Sequence, residues 1–164
     1  RYTPRQVAKN PAVAGRDIEA TRRACEKFRA SPVAIMNFVE GTRFTADKHA
    51  KQGSPYRHLL KPKSGGVAFV LDAMGDGLQA ILDVTIAYPA GTPSLLDLLA
   101  DRIPEVRVQV RQRPIPQAMV RGDYQNDRGF RVQFQRWMNG LWQDKDAEIA
   151  RMLAQAGQGE PSAD

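Results

Sequence analysis

Glu40, Gly41, Thr42 and Arg43 follow one another directly behind an apolar run, Val33 to Val39. Together they offer a carboxylate, an unrestricted backbone, a hydroxyl and a permanently charged planar fork. The arginine fork matches a phosphate monoester, which it can grip through two parallel N–H···O bonds. Thr42 can add a hydroxyl donor or simply make the turn. Gly41 allows a positive φ or a close approach of substrate to backbone. Further on, Lys61 and Lys63 flank Pro62 just before Ser64, Gly65 and Gly66. Lysines beside the free amides of a helix start form an anion site of a second kind. The same residues also have plainer readings: a surface arginine paired with an acid, and two solvated lysines before a capped helix.

Other reactive types are sparse. His49 and His58 are the two histidines and Cys25 is the single cysteine, so no intramolecular disulfide can form. His58, in a Tyr56-Arg57-His58 turn, reads as structural. No metal-ligand spacing occurs. Asp83 interrupts an apolar run, and because a lone buried carboxylate is costly it requires a partner that the sequence does not name. Phe130, Phe134 and Trp137 form an aromatic stripe that reads as core, and Met74 and Met119 as core or lipid-facing filler.

The elements that must position these residues can be read from pattern. Residues 1–16 form an irregular lead-in. Asp17 caps a helix to about Arg29, with Ile18, Cys25 and Phe28 at helical spacing. Val33 to Val39 reads as a strand, and residues 44–60 as a long polar connection. Ser64 caps a helix through Met74. Ala80 to Ala87 reads as a strand buried on both faces, as in a parallel sheet. Ser94 opens a capping box and a helix to about Ala100. Val106, Val108 and Val110 alternate with Arg107, Gln109 and Arg111, which predicts a strand with a basic outer face. Helices follow over Asp127–Trp142 and Asp144–Leu153, and residues 154–164 form a polar tail. Strands alternating with helices predict an α/β layered domain.

Composition narrows the function classes. The 164 residues suit one domain with its own core. No apolar run approaches the roughly 20 residues that span a bilayer. The net charge of +6 fits a solvated basic surface, an anionic substrate or an anionic lipid surface. Nucleic acid is disfavoured, because helix-turn-helix spacing, zinc patterns and runs of five basic residues are all absent.

The block Glu40 to Arg43 resembles the third signature block of the glycerolipid acyltransferases, the lysophosphatidic acid (1-acylglycerol-3-phosphate) acyltransferases and their relatives. Lys61 to Gly66 resembles the basic, glycine-containing helix start that follows it in the family. Asp83 to Pro89 looks like the fourth block. Phe130 to Trp137 is similar to the tail of a bacterial branch close to lysocardiolipin acyltransferases. The likeness covers roughly residues 15 to 153.

The resemblance implies an acyl transfer from acyl-coenzyme A or acyl carrier protein to a hydroxyl of a lysophospholipid, with no metal or redox cofactor. Arg43 would hold the acceptor phosphate, Glu40 would shape the site and orient Arg43, and Lys61 and Lys63 would meet acceptor or coenzyme A phosphates. Family members place a catalytic histidine four residues before an aspartate, upstream of this block. Here the fourth residue after His49 is Gly53 and after His58 is Pro62. The expectation is therefore the carboxyl-terminal part of an acyltransferase over 17–153, inactive alone, with a mostly parallel central sheet that is incomplete relative to the family domain. It would come from a parent on the cytoplasmic face of a bacterial inner membrane. Bare sheet surface predicts self-association. A non-catalytic phospholipid- or phosphate-binding module is the alternative.

Overall fold

A computed structural model describes residues 34–156. The expected helix at 17–29, the lead-in and residues 157–164 lie outside the described residues. Along the chain come α1 (Ala46–Gln52), α2 (Ser64–Met74), β1 (Ile81–Ala87), α3 (Leu95–Leu99), β2 (Arg107–Arg113) and α4 (Arg128–Ala156). Short 3-10 turns follow α2 at Gly75–Gly77 and β2 at Gln117–Met119.

The spine is α4, one uninterrupted helix roughly 44 Å long. The expectation of two helices parted near Asp144 is corrected. No glycine or proline interrupts the stretch from Leu141 to Ala156, so nothing stops the helix there. Its start is capped by Asp127, whose Oδ1 accepts from the Phe130 amide at 3.0 Å. Gly122 makes room for this start, since a Cβ there would overlap the Phe130 ring.

The amino-terminal half of α4 builds the core. Phe134 is fully buried and meets Trp137 edge-on at 5.2 Å and Tyr124 at 5.5 Å between ring centres. Met138 and Trp142 continue the stripe onto Tyr56, Leu59, Ala68 and Leu71. Met74 and Met119 are both buried, which resolves them as core. Burying side chains of this size contributes about 1.5–3 kcal/mol each.

The expected sheet is not the one observed. Among the described residues there is one sheet of two strands, β1 and β2, paired antiparallel with Asp83 opposite Arg111 and Val84 opposite Val110. Residues 34–38 carry no strand, and Met36 and Phe38 are largely exposed. Apolar, β-prone composition is not enough; a strand forms only where a neighbour accepts its backbone bonds.

The faces are also reversed. β1 is not buried on both sides: Leu82, Val84 and Ile86 point outward beside Val108 and Val110, each 47–65% exposed. The predicted basic outer face of β2 is instead its inner one, because α4 supplies the matching charges. Arg113 binds Asp83 and Asp144, each at 2.9 Å. Lys145 ion-pairs with Asp83 and donates to the Val84 carbonyl at 2.8 Å. Arg111 pairs with Glu148, and Arg107 donates to the Met152 carbonyl at 2.8 Å. Asp83 thus has the partners its burial demanded.

Two further local expectations change. Residues 44–60 contain α1, started by Thr45, whose hydroxyl accepts from the Lys48 amide, and closed by Gly53 in the left-handed region. Ser64 is the first helical residue of α2 rather than its cap; Lys63 holds that position and offers no capping acceptor. α3 carries the expected capping box between Ser94 and Asp97.

Candidate functional site

The turn after residue 39 and the start of α2 are held together by backbone. The Gly41 amide donates to the Phe38 carbonyl at 2.8 Å, and the Lys63 amide donates to the Val39 carbonyl at 2.9 Å. Gly41 has φ +68°, and a Cβ there would lie 3.0 Å from the Lys63 ammonium nitrogen. Lys63 therefore lies over the turn, and the glycine serves both its backbone angle and this close approach.

Glu40 anchors the turn from beneath. Its Oε1 accepts from the Leu60 amide at 3.2 Å, while the Trp142 indole donates to the Leu60 carbonyl at 3.1 Å. Burial pushes the Glu40 carboxyl above the ordinary glutamate range, opposed by the Leu60 amide, the Trp142 indole and the Lys145 charge. Glu40 thus faces the core side of the turn, with no bond to Arg43.

Arg43 is exposed, and its guanidinium makes no hydrogen bond or ion pair among the described residues. Thr42 accepts at its hydroxyl from Lys48 Nζ at 2.8 Å, and the same ammonium donates to the Arg43 carbonyl at 3.1 Å. Thr42 keeps its own proton to donate. Lys48 is a third cation at this turn that sequence reasoning missed. The available signal was its place one turn into a Thr45-capped helix that the polar connection concealed.

Beside the turn lies a cavity of about 360 Å³ lined by residues including Lys61, Lys63, Ser64 and Gly65. Its floor is the uncapped start of α2, whose first amides meet no side-chain acceptor. Such a start attracts anions through its oriented N–H groups and helix dipole. Tyr56, Tyr124, Gln135 and Asn139, none of which the sequence singled out, complete the lining, and Tyr124 stands against the helix start, its Cε1 3.6 Å from where a Gly65 Cβ would lie. Tyr56 Oη lies 3.3 Å from Asn139 Oδ1, and Gln135 Nε2 donates to Tyr124 Oη at 3.1 Å. Lys61 and Lys63 therefore share the cavity, and Gly41 reaches it through Lys63. Glu40, Thr42 and Arg43 do not line it.

The histidines stand apart. His49 Nε2 is 2.6 Å from the Tyr56 carbonyl oxygen, and the His58 amide donates to Asp146 Oδ1 at 2.7 Å. Both contacts brace the loop from α1 to Leu60. Among the described residues no group of three or more His, Cys, Asp or Glu could hold a metal ion, and no helix is long and apolar enough to cross a membrane.

Known proteins resemble this chain over most of its length. It is 27% identical to lysocardiolipin acyltransferase 1 of Gallus gallus and 26% identical to that of Danio rerio, in each case over 73% of this chain and 32% of the relative. It is 22% identical to 2-acyl-1-lysophosphatidylinositol acyltransferase of Saccharomyces cerevisiae, over 73% of this chain and 33% of the relative. The chain spans about a third of the length of these curated relatives. No family model matches, and no solved structure matches.

Proposed function

We propose that this chain, whose curated homologues are glycerolipid acyltransferases, carries the acceptor side of an enzyme that acylates a lysophospholipid. The observation that carries this reading is the junction of two anion-seeking elements: the Gly41 turn, with Arg43 uncommitted, and the lysine-flanked start of α2. Lys63 joins them. The acceptor phosphate would sit against Lys61, Lys63 and the first amides of α2, with Arg43 closing from the turn. Lysophosphatidic acid is the simplest acceptor with the required monoester.

The donor in this reading is a thioester, acyl-coenzyme A or acyl carrier protein. A base removes the proton of the acceptor hydroxyl, the oxygen attacks the thioester carbonyl, and the thiolate leaves. Neither histidine of this chain is followed by an aspartate at the fourth position, and both brace a loop. The base would therefore belong to the parent enzyme, and the chain alone would not turn over. General bases typically contribute about 10²–10⁴-fold. A lipid acceptor implies work at a membrane surface, for a bacterial parent the cytoplasmic face of the inner membrane.

Kinetics of the parent enzyme test this. Arg43→Ala should raise the acceptor KM or lower acceptor kcat/KM by roughly ten-fold or more, the loss of a charge-assisted contact of about 1.5–3 kcal/mol. Donor KM should stay the same, and Arg43→Lys should restore only part, since an ammonium lacks the bidentate fork. Equal losses for donor and acceptor would make Arg43 structural. Phosphate binding by the isolated chain together with a parent that shows no transfer would favour a binding module.

A further inference from the structure

Lys48 is the cation at the Gly41 turn that the phosphate reading leaves without a task. It is the third residue of α1, and its side chain runs back over the turn that precedes the helix. Its Nζ donates to the Thr42 hydroxyl at 2.8 Å and to the Arg43 carbonyl at 3.1 Å. The two bonds do different things. The one to the Arg43 carbonyl fixes the main chain that carries the guanidinium. The one to Thr42 occupies a lone pair of the hydroxyl oxygen, so the hydroxyl proton turns away from Lys48 and is left to donate elsewhere. The ammonium charge also polarises that hydroxyl toward donation.

Lys48 can do this because α1 is itself held. The Thr45 hydroxyl accepts from the Lys48 amide at 3.3 Å, and Gly53 closes the far end of the helix. His49, the next residue, fastens α1 to the loop behind it. Its Nε2 lies 2.6 Å from the Tyr56 carbonyl oxygen, which can only accept, so Nε2 carries the hydrogen. The His49 ring also leans on Phe44, with 5.6 Å between ring centres. Tyr56 is buried, and its hydroxyl reaches Asn139 of α4. Support thus runs from α4 through Tyr56 to α1, and from Lys48 to the turn.

The bonding separates the roles of the two cations. Two of the three Lys48 ammonium protons are committed inside the protein. The guanidinium donors of Arg43 are all uncommitted among the described residues. Arg43 is equipped to grip an anion, and Lys48 to fix how Arg43 and Thr42 are offered. Ordering a loose turn at the moment of binding subtracts from affinity, and a turn ordered in advance avoids that cost.

We propose that Lys48 is a positioning residue for the acceptor phosphate: it presents the Arg43 fork and aims the Thr42 hydroxyl as a donor, without itself gripping the ligand. The proposal rests on the acceptor-phosphate reading and adds to it the residue that makes Arg43 effective.

The test is a double-mutant cycle in calorimetric titrations of the full chain with glycerol 3-phosphate. Arg43→Ala should weaken binding about ten-fold, the loss of one charge-assisted contact. Lys48→Met keeps the aliphatic stem and removes the donors; it should forfeit most of the same margin, about five-fold, because it acts through Arg43. The double variant should bind no more than about ten-fold more weakly than the wild type, since Lys48 then has no fork to present. In the parent enzyme Lys48→Met should raise the acceptor KM and leave the donor KM unchanged. Single losses that multiply to about fifty-fold in the double variant overturn the role and make Lys48 an independent ligand contact. Wild-type affinity in Lys48→Met, or a donor KM that rises with the acceptor KM, also overturns it. Wild-type affinity in Arg43→Ala removes Arg43 and Lys48 together and leaves the phosphate with Lys61 and Lys63. No binding by the unaltered chain overturns the acceptor-phosphate reading itself.

Discussion

The two halves of α4 face opposite kinds of surface. From Phe134 to Trp142 the helix meets an apolar core with its polar residues turned away. From Asp144 to Met152 it sets Asp144, Lys145 and Glu148 against the charged face of the hairpin, whose aliphatic residues turn to solvent, while Ile149 and Met152 stay in the apolar core. The first half holds the candidate site through Trp142 and Asn139; the second holds β1 and β2 through Lys145 and Glu148. Sequence alternation reports that a strand has two unlike faces. Which face turns inward depends on what the facing element offers, and here α4 offers Asp144, Lys145 and Glu148.

Stability measurements can break that comparison. Phe134→Ala should cost about 3–5 kcal/mol in urea unfolding, as for other fully enclosed aromatics. Val108→Lys with Val110→Lys, on the outer face of β2, should change stability by no more than about 0.5 kcal/mol. The same pair should abolish any concentration-dependent association in light scattering, because it places charge on the exposed aliphatic face. A large destabilisation from the valine changes would mean that this face is buried in the working molecule.

Much of the helical organisation was legible. The span of the helix Ser64–Met74, though not its cap, the capping box at Ser94 and the aromatic stripe of α4 follow from local sequence rules. The sheet was not. Partner choice among strands is long-range, so Val33 to Val39 reads as a strand although residues 34–38 have no strand neighbour. The reversed faces of β2 were invisible because Val106–Arg111 alternates equally well with either side inward. Lys61 and Lys63, singled out by type and order, both line the cavity, and Gly41 adjoins Lys63. Tyr56, Tyr124, Gln135 and Asn139 were not singled out, since they converge only after α4 packs on the loop before α2.

Lys145 sharpens the contrast. Lys145→Ala leaves Asp83 with Arg113 alone and should cost roughly 1–3 kcal/mol, below the full penalty for breaking an isolated buried pair. Asp83→Leu combined with Lys145→Met should recover part of that loss, measured as a double-mutant cycle. If the double variant is worse than the sum of the singles, the charged interior of the hairpin is required for its packing.

Glu40 gives the smallest effect, and its sign is fixed. Burial raises its folded-state pKa above the ordinary 4.5, so the folded state favours the protonated form. Its contribution is fully present below pH 4.5 and is lost as pH rises through the raised value. Glu40→Gln keeps an acceptor for the Leu60 amide and should flatten this decline. Stability curves of the two proteins should therefore diverge above about pH 4.5, with the glutamine variant relatively more stable. Parallel curves would mean that Glu40 is solvated.

The central proposal is that a phosphate monoester sits where the Gly41 turn meets the start of α2. A crystal structure of the chain soaked with glycerol 3-phosphate tests it directly. The account predicts phosphate density against the Lys61 and Lys63 side chains and the Gly65 and Gly66 amides. Phosphate bound instead on the hairpin arginines, or a cavity that stays without ligand at saturating concentration, would contradict it.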